Sequence, residues 1–289
     1  MTHIDDRPPA PDPLGGDPAP GRMAIIGGTG FHLEAGAGTL DVVGDEVITT
    51  RWGKARITRT ELAGRELLFL DRHRAQTEPG APRIPPHRVN YRANIAALKQ
   101  VGVTGILAST AVGSLRAEWG LGSLVLLDQL LDHVDGRPRT FFDDTAVHVD
   151  FTRPYCDHLR RQVAGTAHAL GIPFHDGGTY ICTNGPRFES AAEIRAYGAW
   201  GAHVVGMTAV PEVALAREAE ISYAGISVVT NPAAGTGEGD LTEEEVMEAM
   251  AAAMPQIARL FLEVAKGYRD DPSTPARRAT REFGSPRVT

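Results

Sequence analysis

Apolar residues along this chain follow two spacings. Runs that are hydrophobic at most positions, MAIIGG at 23–28, ELLFLDRH at 66–73, TGILAST at 104–110, SLVLLDQ at 123–129 and YAGISVVT at 223–230, predict short, buried strands. Between them, NYRANIAALKQVG at 90–102 places Tyr91, Ile95, Leu98 and Val101 on one face of a helix. Ser190 with Glu193, and Thr242 with Glu245, have the spacing of a capping box, so helices are predicted to start there. Another is predicted over VPEVALARE, with Pro211 in its first turn. The last helix runs to about Lys266 in this reading, with a kink at Pro255. Strands alternating with helices predict one α/β domain over 22–268, a central mixed sheet flanked by helices, with ligands at the strand ends. Residues 1–21 and 269–289 are rich in Pro, Gly and charge and predict a disordered leader and tail.

A length of 289 residues with 42% hydrophobic content is enough for a full core near the upper size of one domain. The net charge of -7 adds an exclusion: no cluster of Lys and Arg is dense enough to neutralise a run of phosphates, so nucleic acid is not the predicted partner, whereas a small anion is compatible. Two cysteines, Cys156 and Cys182, supply neither a disulfide framework nor a metal-binding spacing. The N-terminus has no apolar core of a signal peptide and no run is long enough to span a bilayer, which predicts a cytoplasmic chain with no membrane partner.

Three segments carry candidate chemistry. In IIGGTGFH a strand enters a glycine turn, but the third glycine of a dinucleotide fingerprint would fall at Leu33. A turn whose amides and Thr29 hydroxyl receive one phosphate fits better; a purely structural turn is the competing reading. Arg72 and His73 end a strand and precede a Pro-rich loop with Arg74, Arg83, His87 and Arg88. Guanidinium offers a planar fork suited to phosphate, although an Arg-His pair is also compatible with a solvated edge. STAVGSL puts Ser109, Thr110 and Ala111 at another strand end, where hydroxyls and amides suit an anion and Gly113 suits a simple turn.

The order of IIGGTG, RH, VNYRANIAALK, TAVGSL, DQLLD, NGPRFES, WGAHVVGMTAVPEVALARE and VVTNPAAG, from about Met23 to Gly267, resembles the trimeric nucleoside phosphorylases, the superfamily of methylthioadenosine and purine nucleoside phosphorylases. The resemblance implies that fold, with a partly barrel-like sheet, and a homotrimer. It also implies phosphorolysis of a nucleoside, with inorganic phosphate as co-substrate and neither cofactor nor metal. Thr29, Arg72, His73, Thr110, Ala111 and Thr208 fall at its phosphate positions. Phe188 and Met207 fall at the ribose, Glu189 and Asn231 at the base, and His148 where a neighbouring subunit closes the 5' side; an ordinary surface histidine is the alternative for His148. Asn231, Glu189 and His73 are the candidate catalytic residues.

Two departures sharpen the substrate. Enzymes for 6-aminopurines resemble TDYD where this chain has TNPA, so both acids are missing; the methylthioadenosine enzymes look like RFSS where this chain has RFES. A carboxamide at Asn231 can donate to O6 and accept from N7-H, and Glu189 can accept N1-H, so both changes point to a 6-oxopurine, closest to the S-methyl-5'-thioinosine phosphorylase branch. Val246 and Met250 are candidates for an apolar 5' pocket, with a core role as the alternative. Arg74 replaces the glycine that the family has after Arg-His, and the following loop is longer, without a match for the family's next His. Competing readings are a methylthioadenosine phosphorylase, a phosphorylase for another 5'-modified nucleoside, a non-catalytic nucleoside-binding relative and, more distantly, an NAD-dependent oxidoreductase.

Overall fold

The computed structural model describes residues 19–28, 41–74, 82–237, 242–284 and 288. Its strands are β1 (Ala19–Pro20), β2 (Met23–Gly27), β3 (Asp41–Thr50), β4 (Gly53–Leu62), β5 (Arg65–Asp71), β6 (Gly105–Ser114), β7 (Leu124–Leu126), β8 (Gln129–His133), β9 (His175–Asp176), β10 (Thr179–Thr183), β11 (Val204–Gly206), β12 (Ser222–Pro232) and β13 (Arg269–Asp270). The helices are α1 (Tyr91–Gln100), α2 (Asp157–Ala169), α3 (Ala191–Ala199), α4 (Ala209–Glu218) and α5 (Glu243–Gly267).

Strand β6 is the hub. It pairs in parallel with β12 over its whole length and with β2 from Gly105 to Ala108, and its last residues pair antiparallel with β11. One arm continues through β2 to β5, β4 and β3, another through β11 to β10 and β8, and β12 carries β7 and β9. The result is a mixed sheet that forks at β6. Among the described residues it does not close into a barrel, which corrects the partly barrel-like expectation.

Side chains alternate across a strand, and here both faces are covered. Ala24 and Ile26 of β2 join a core with α1 and α4, whereas Met23 and Ile25 join a second core with α2 and α5. That is why the β2 run is apolar at consecutive positions, and each such isoleucine adds roughly 1.5–3 kcal/mol of burial. The capping boxes at Ser190 and Thr242 are both formed. Helix α5 passes through Pro255 as one continuous helix, so the predicted kink does not break it.

Two features were not read from the sequence. Helix α2 buries only Leu159, Val163 and Ala167, a stripe too thin to stand out beside Gly165 and the charges. The β3–β4 hairpin is mostly solvated on one strand, without an apolar run. The C-terminal segment corrects the disordered-tail expectation. β13 pairs with β1, and Asp270 pairs with Arg277 at 3.0 Å. Thr280 donates through N and Oγ1 to Glu220 Oε1 at 3.1 and 2.8 Å, and Ala276, Thr280 and Val288 are buried. Few apolar residues suffice because polar partners elsewhere in the chain anchor the segment, information that composition alone does not carry.

Candidate active site

A cavity of about 350 Å³ opens where the C-terminal ends of β2, β5, β10, β11 and β12 converge on the second half of β6. Arg72, His73, Thr110, Ala111, Phe188, Glu189, Met207, Thr208 and Asn231 all line it. Parallel strands deliver their following loops to one edge, which is why residues 159 positions apart, Arg72 and Asn231, reach one site.

At one end, Gly28 and the β5 terminus meet. Arg72 is buried; its Nε and Nη2 donate to the two carboxylate oxygens of Glu212 at 3.0 and 2.9 Å, and Nη1 donates to the Ser109 carbonyl at 2.8 Å. The Tyr223 hydroxyl donates to the same carboxylate at 2.7 Å. The fork that the sequence suggested for phosphate thus grips Glu212, leaving the other N–H groups of Nη1 and Nη2 as donors. Burial opposes the Arg72 cation, but Glu212 more than offsets it and the guanidinium pKa lies above its ordinary value. A Cβ on Gly28 would lie 2.6 Å from Arg72 Nη1, so glycine permits the approach of this turn to Arg72.

His73 is clamped twice to Ile84: Ile84 N donates to the His73 carbonyl at 2.8 Å, and Nδ1 lies 2.7 Å from the Ile84 carbonyl. A carbonyl only accepts, so Nδ1 carries the hydrogen and a neutral ring presents Nε2 as an acceptor. Burial, then the Arg72 charge, pushes the His73 pKa from 6.5 down to about 4. Because the unfolded chain binds this proton more readily, the folded state loses stability as pH falls from 6.5 towards about 4. His73→Asn, which keeps a donor without titrating, is expected to lessen the fall in thermal midpoint between neutral pH and pH 5; equal falls in both proteins would remove His73 as its source.

At the other end, β12 carries a bulge. Val229 faces Val112 and Asn231 faces Gly113, so Thr230 is the extra residue and the Asn231 side chain is re-aimed. Thr230 Oγ1 donates to Asn231 Oδ1 at 3.0 Å, and Nδ2 donates to the Pro232 carbonyl at 2.7 Å. One hydrogen on Nδ2 and one lone pair on Oδ1 remain. A Cβ at Gly113 would stand 3.0 Å from Nδ2, so glycine there leaves room for the carboxamide. Glu189 Oε1 accepts from Thr183 Oγ1 at 2.6 Å.

Other expectations fall elsewhere. Thr29 lies outside the described residues, although its neighbour Gly28 lines the cavity. His148 is exposed and does not line the cavity of the single chain. Arg74 pairs with Asp45 of β3 at 3.0 Å and is not in the lining, which separates it from the Gly28 end of the cavity. Val246 lines the cavity with Ile84, Pro85 and Pro86, whereas Met250 is buried in the second core. No group of three or more potential metal ligands occurs among the described residues, and no described helix is long and apolar enough to cross a membrane.

Two supporting residues had no role assigned from the sequence. Glu212 sits on α4 and is fully buried. Arg137 is also buried; its Nη1 donates to the Met207 and Val210 carbonyls at 2.9 and 2.6 Å and its Nη2 to the Asn184 carbonyl at 2.9 Å. It ties the loop carrying Phe188 and Glu189 to the one carrying Met207 and Thr208. A lone Arg between Gly136 and Pro138 carries no local signal of that task.

The forked α/β sheet and the cavity at its strand ends define the phosphorylase superfamily, and the chain belongs to it: the family's sequence profile matches residues 22–266. Among similar proteins, the 6-oxopurine nucleoside phosphorylase of Pyrococcus furiosus is 44% identical over 249 residues, covering 83% of this chain and 91% of that one. A probable S-methyl-5'-thioinosine phosphorylase of Methanothermobacter thermautotrophicus is 42% identical over 260 residues, 90% of this chain and 89% of its own. The structure of methylthioadenosine phosphorylase from Schistosoma mansoni in complex with adenine superposes with a TM-score of 0.78 at 31% identity, covering 85% of this chain and 91% of that one. The resemblance in motif order and the α/β fold class are thereby borne out.

Proposed function

We propose that this chain is a phosphate-dependent purine nucleoside phosphorylase acting on 6-oxopurine nucleosides, 5'-methylthioinosine or a relative of it. The observation that carries this reading is that one cavity unites Asn231 and Glu189 with Arg72, His73, Thr110, Ala111 and Thr208. Phosphate, held at the Gly28 end, attacks C1' of the sugar as the bond from C1' to N9 breaks. The bonding electrons leave with the purine, N7 takes a proton from solvent water, and the products are free base and a ribose 1-phosphate. The enzyme gains rate by stabilising positive charge on the sugar with the phosphate and negative charge on the purine with Asn231.

In this reading the free N–H of Asn231 donates to O6, its oxygen accepts N7-H, and Glu189 Oε2 accepts N1-H. Phe188 and Met207 pack the ribose. Ile84, Pro85, Pro86 and Val246 form an apolar wall suited to a 5'-thioether. Phosphate is a co-substrate and no cofactor is needed. A homotrimer, with His148 closing the 5' side of a neighbour's site, completes the proposal. The test is product analysis: purified protein should release hypoxanthine and a ribose 1-phosphate from inosine or methylthioinosine only when phosphate is added. Binding without product would instead assign a non-catalytic relative.

A further inference from the structure

The phosphate end needs a cation that is not already neutralised. Arg72 gives both of its forked donors to the Glu212 carboxylate, its side chain has no exposed surface, and the pair is neutral as a unit. His73 gives its Nδ1 hydrogen to Ile84 and is held uncharged at neutral pH by burial and by Arg72. Among the described lining residues the other cation is Arg83. It is exposed to the cavity, and its Nη2 lies 3.5 Å from the carbonyl of Gly28, the residue that also lies against Arg72 Nη1. Among the described residues no carboxylate pairs with it. Its backbone is fixed by the next residue, Ile84, through the double clamp to His73.

We propose that Arg83 binds the inorganic phosphate directly, supplying the uncompensated positive charge at the Gly28 end of the cavity. The inference rests on the phosphorolysis reading and adds to it a ligand from the far side of the lengthened loop. A dianion placed between Gly28 and His73 meets a guanidinium that, among the described residues, has only the long contact to the Gly28 carbonyl, so the contact is a charge-assisted hydrogen bond. The 3.5 Å contact to Gly28 is at the limit of a hydrogen bond and is readily exchanged for a phosphate oxygen.

The test is steady-state phosphorolysis of inosine by the full chain and by Arg83→Gln and Arg83→Lys. Arg83→Gln is expected to raise KM for phosphate about ten- to a hundred-fold, as loss of a charged hydrogen bond does. KM for inosine at saturating phosphate should stay within about two-fold of wild type, well below the effect of losing such a bond. Arg83→Lys should recover part of the loss, since it restores the charge without the fork. An unchanged KM for phosphate, or an equal rise for both substrates, overturns the proposal. Should wild type release no base from any purine nucleoside, the phosphorolysis reading fails by itself. Calorimetric titration of inorganic phosphate into wild type and Arg83→Gln then decides the role of Arg83: weaker binding in the variant supports it, and equal binding rejects it.

Discussion

Glu212→Ala is expected to lower the stability of the folded chain by about 3–5 kcal/mol, because it leaves the Arg72 guanidinium buried without its carboxylate. Both side chains have no exposed surface, so solvent cannot replace the lost partner. Tyr223 also loses the acceptor of its 2.7 Å hydrogen bond in the core. Urea denaturation measures the effect as a lower midpoint. The double change Arg72→Met with Glu212→Leu removes both charges and is expected to regain much of that stability, since an apolar pair of similar volume is often neutral relative to a buried ion pair. The regained stability should come without activity, as the double variant also deletes the proposed anchor beneath the phosphate. A single Glu212→Ala variant as stable as wild type would mean that Arg72 finds other partners.

The second large effect belongs to Asn231→Asp. The carboxamide nitrogen lies 2.7 Å from the Pro232 carbonyl, so a carboxylate oxygen placed there would face another acceptor. Protonation relieves the clash, and the new carboxyl is expected to titrate above the usual carboxylate range. The oxygen in the place of Nδ2 spends its one hydrogen on Pro232 and has none for O6 of hypoxanthine, but a lone pair on it can accept from the amino group of adenine. Losing one buried hydrogen bond and leaving O6 unpaired costs about 1–3 kcal/mol, so kcat/KM for inosine should fall by roughly 5- to 150-fold. The ratio of adenosine to inosine turnover should rise at the same time. If that ratio is unchanged, Asn231 does not read the base.

Much of the architecture was legible because its signals are local. The strands β2, β5, β6 and β12 declare themselves as apolar runs, and the capping boxes of α3 and α5 each lie within four consecutive residues. The site was legible in a different way: Arg72 with His73, Phe188 with Glu189, Met207 with Thr208, and Asn231 each lie in short motifs whose order along the chain resembles one superfamily. Pairings across the fold were not legible. Nothing near Arg72 in sequence announces Glu212, 140 residues away, and Arg137 looks like any loop arginine until the carbonyls it bridges are in place. The bulge at Thr230 depends on β6 opposite it. The C-terminal segment shows the same limit in reverse, since its polar composition suggests disorder while Arg277, which donates to the Glu220 carbonyl, Thr280 and Val288 dock it onto the domain.

Selection of a 6-oxopurine by this pocket is the property on which the proposed substrate rests. A buried donor-acceptor pair should reject a base presenting the wrong groups strongly, because polar partners are then left unmatched. The most direct test is kcat/KM for inosine, adenosine and their 5'-methylthio counterparts, all at one saturating phosphate concentration, so that base and 5' group vary separately. The prediction is that both 6-oxopurine nucleosides are cleaved at least about a hundred-fold better than their 6-amino partners, whichever 5' group they carry. Cleavage of the 6-amino nucleosides as fast as, or faster than, their 6-oxo partners would contradict it.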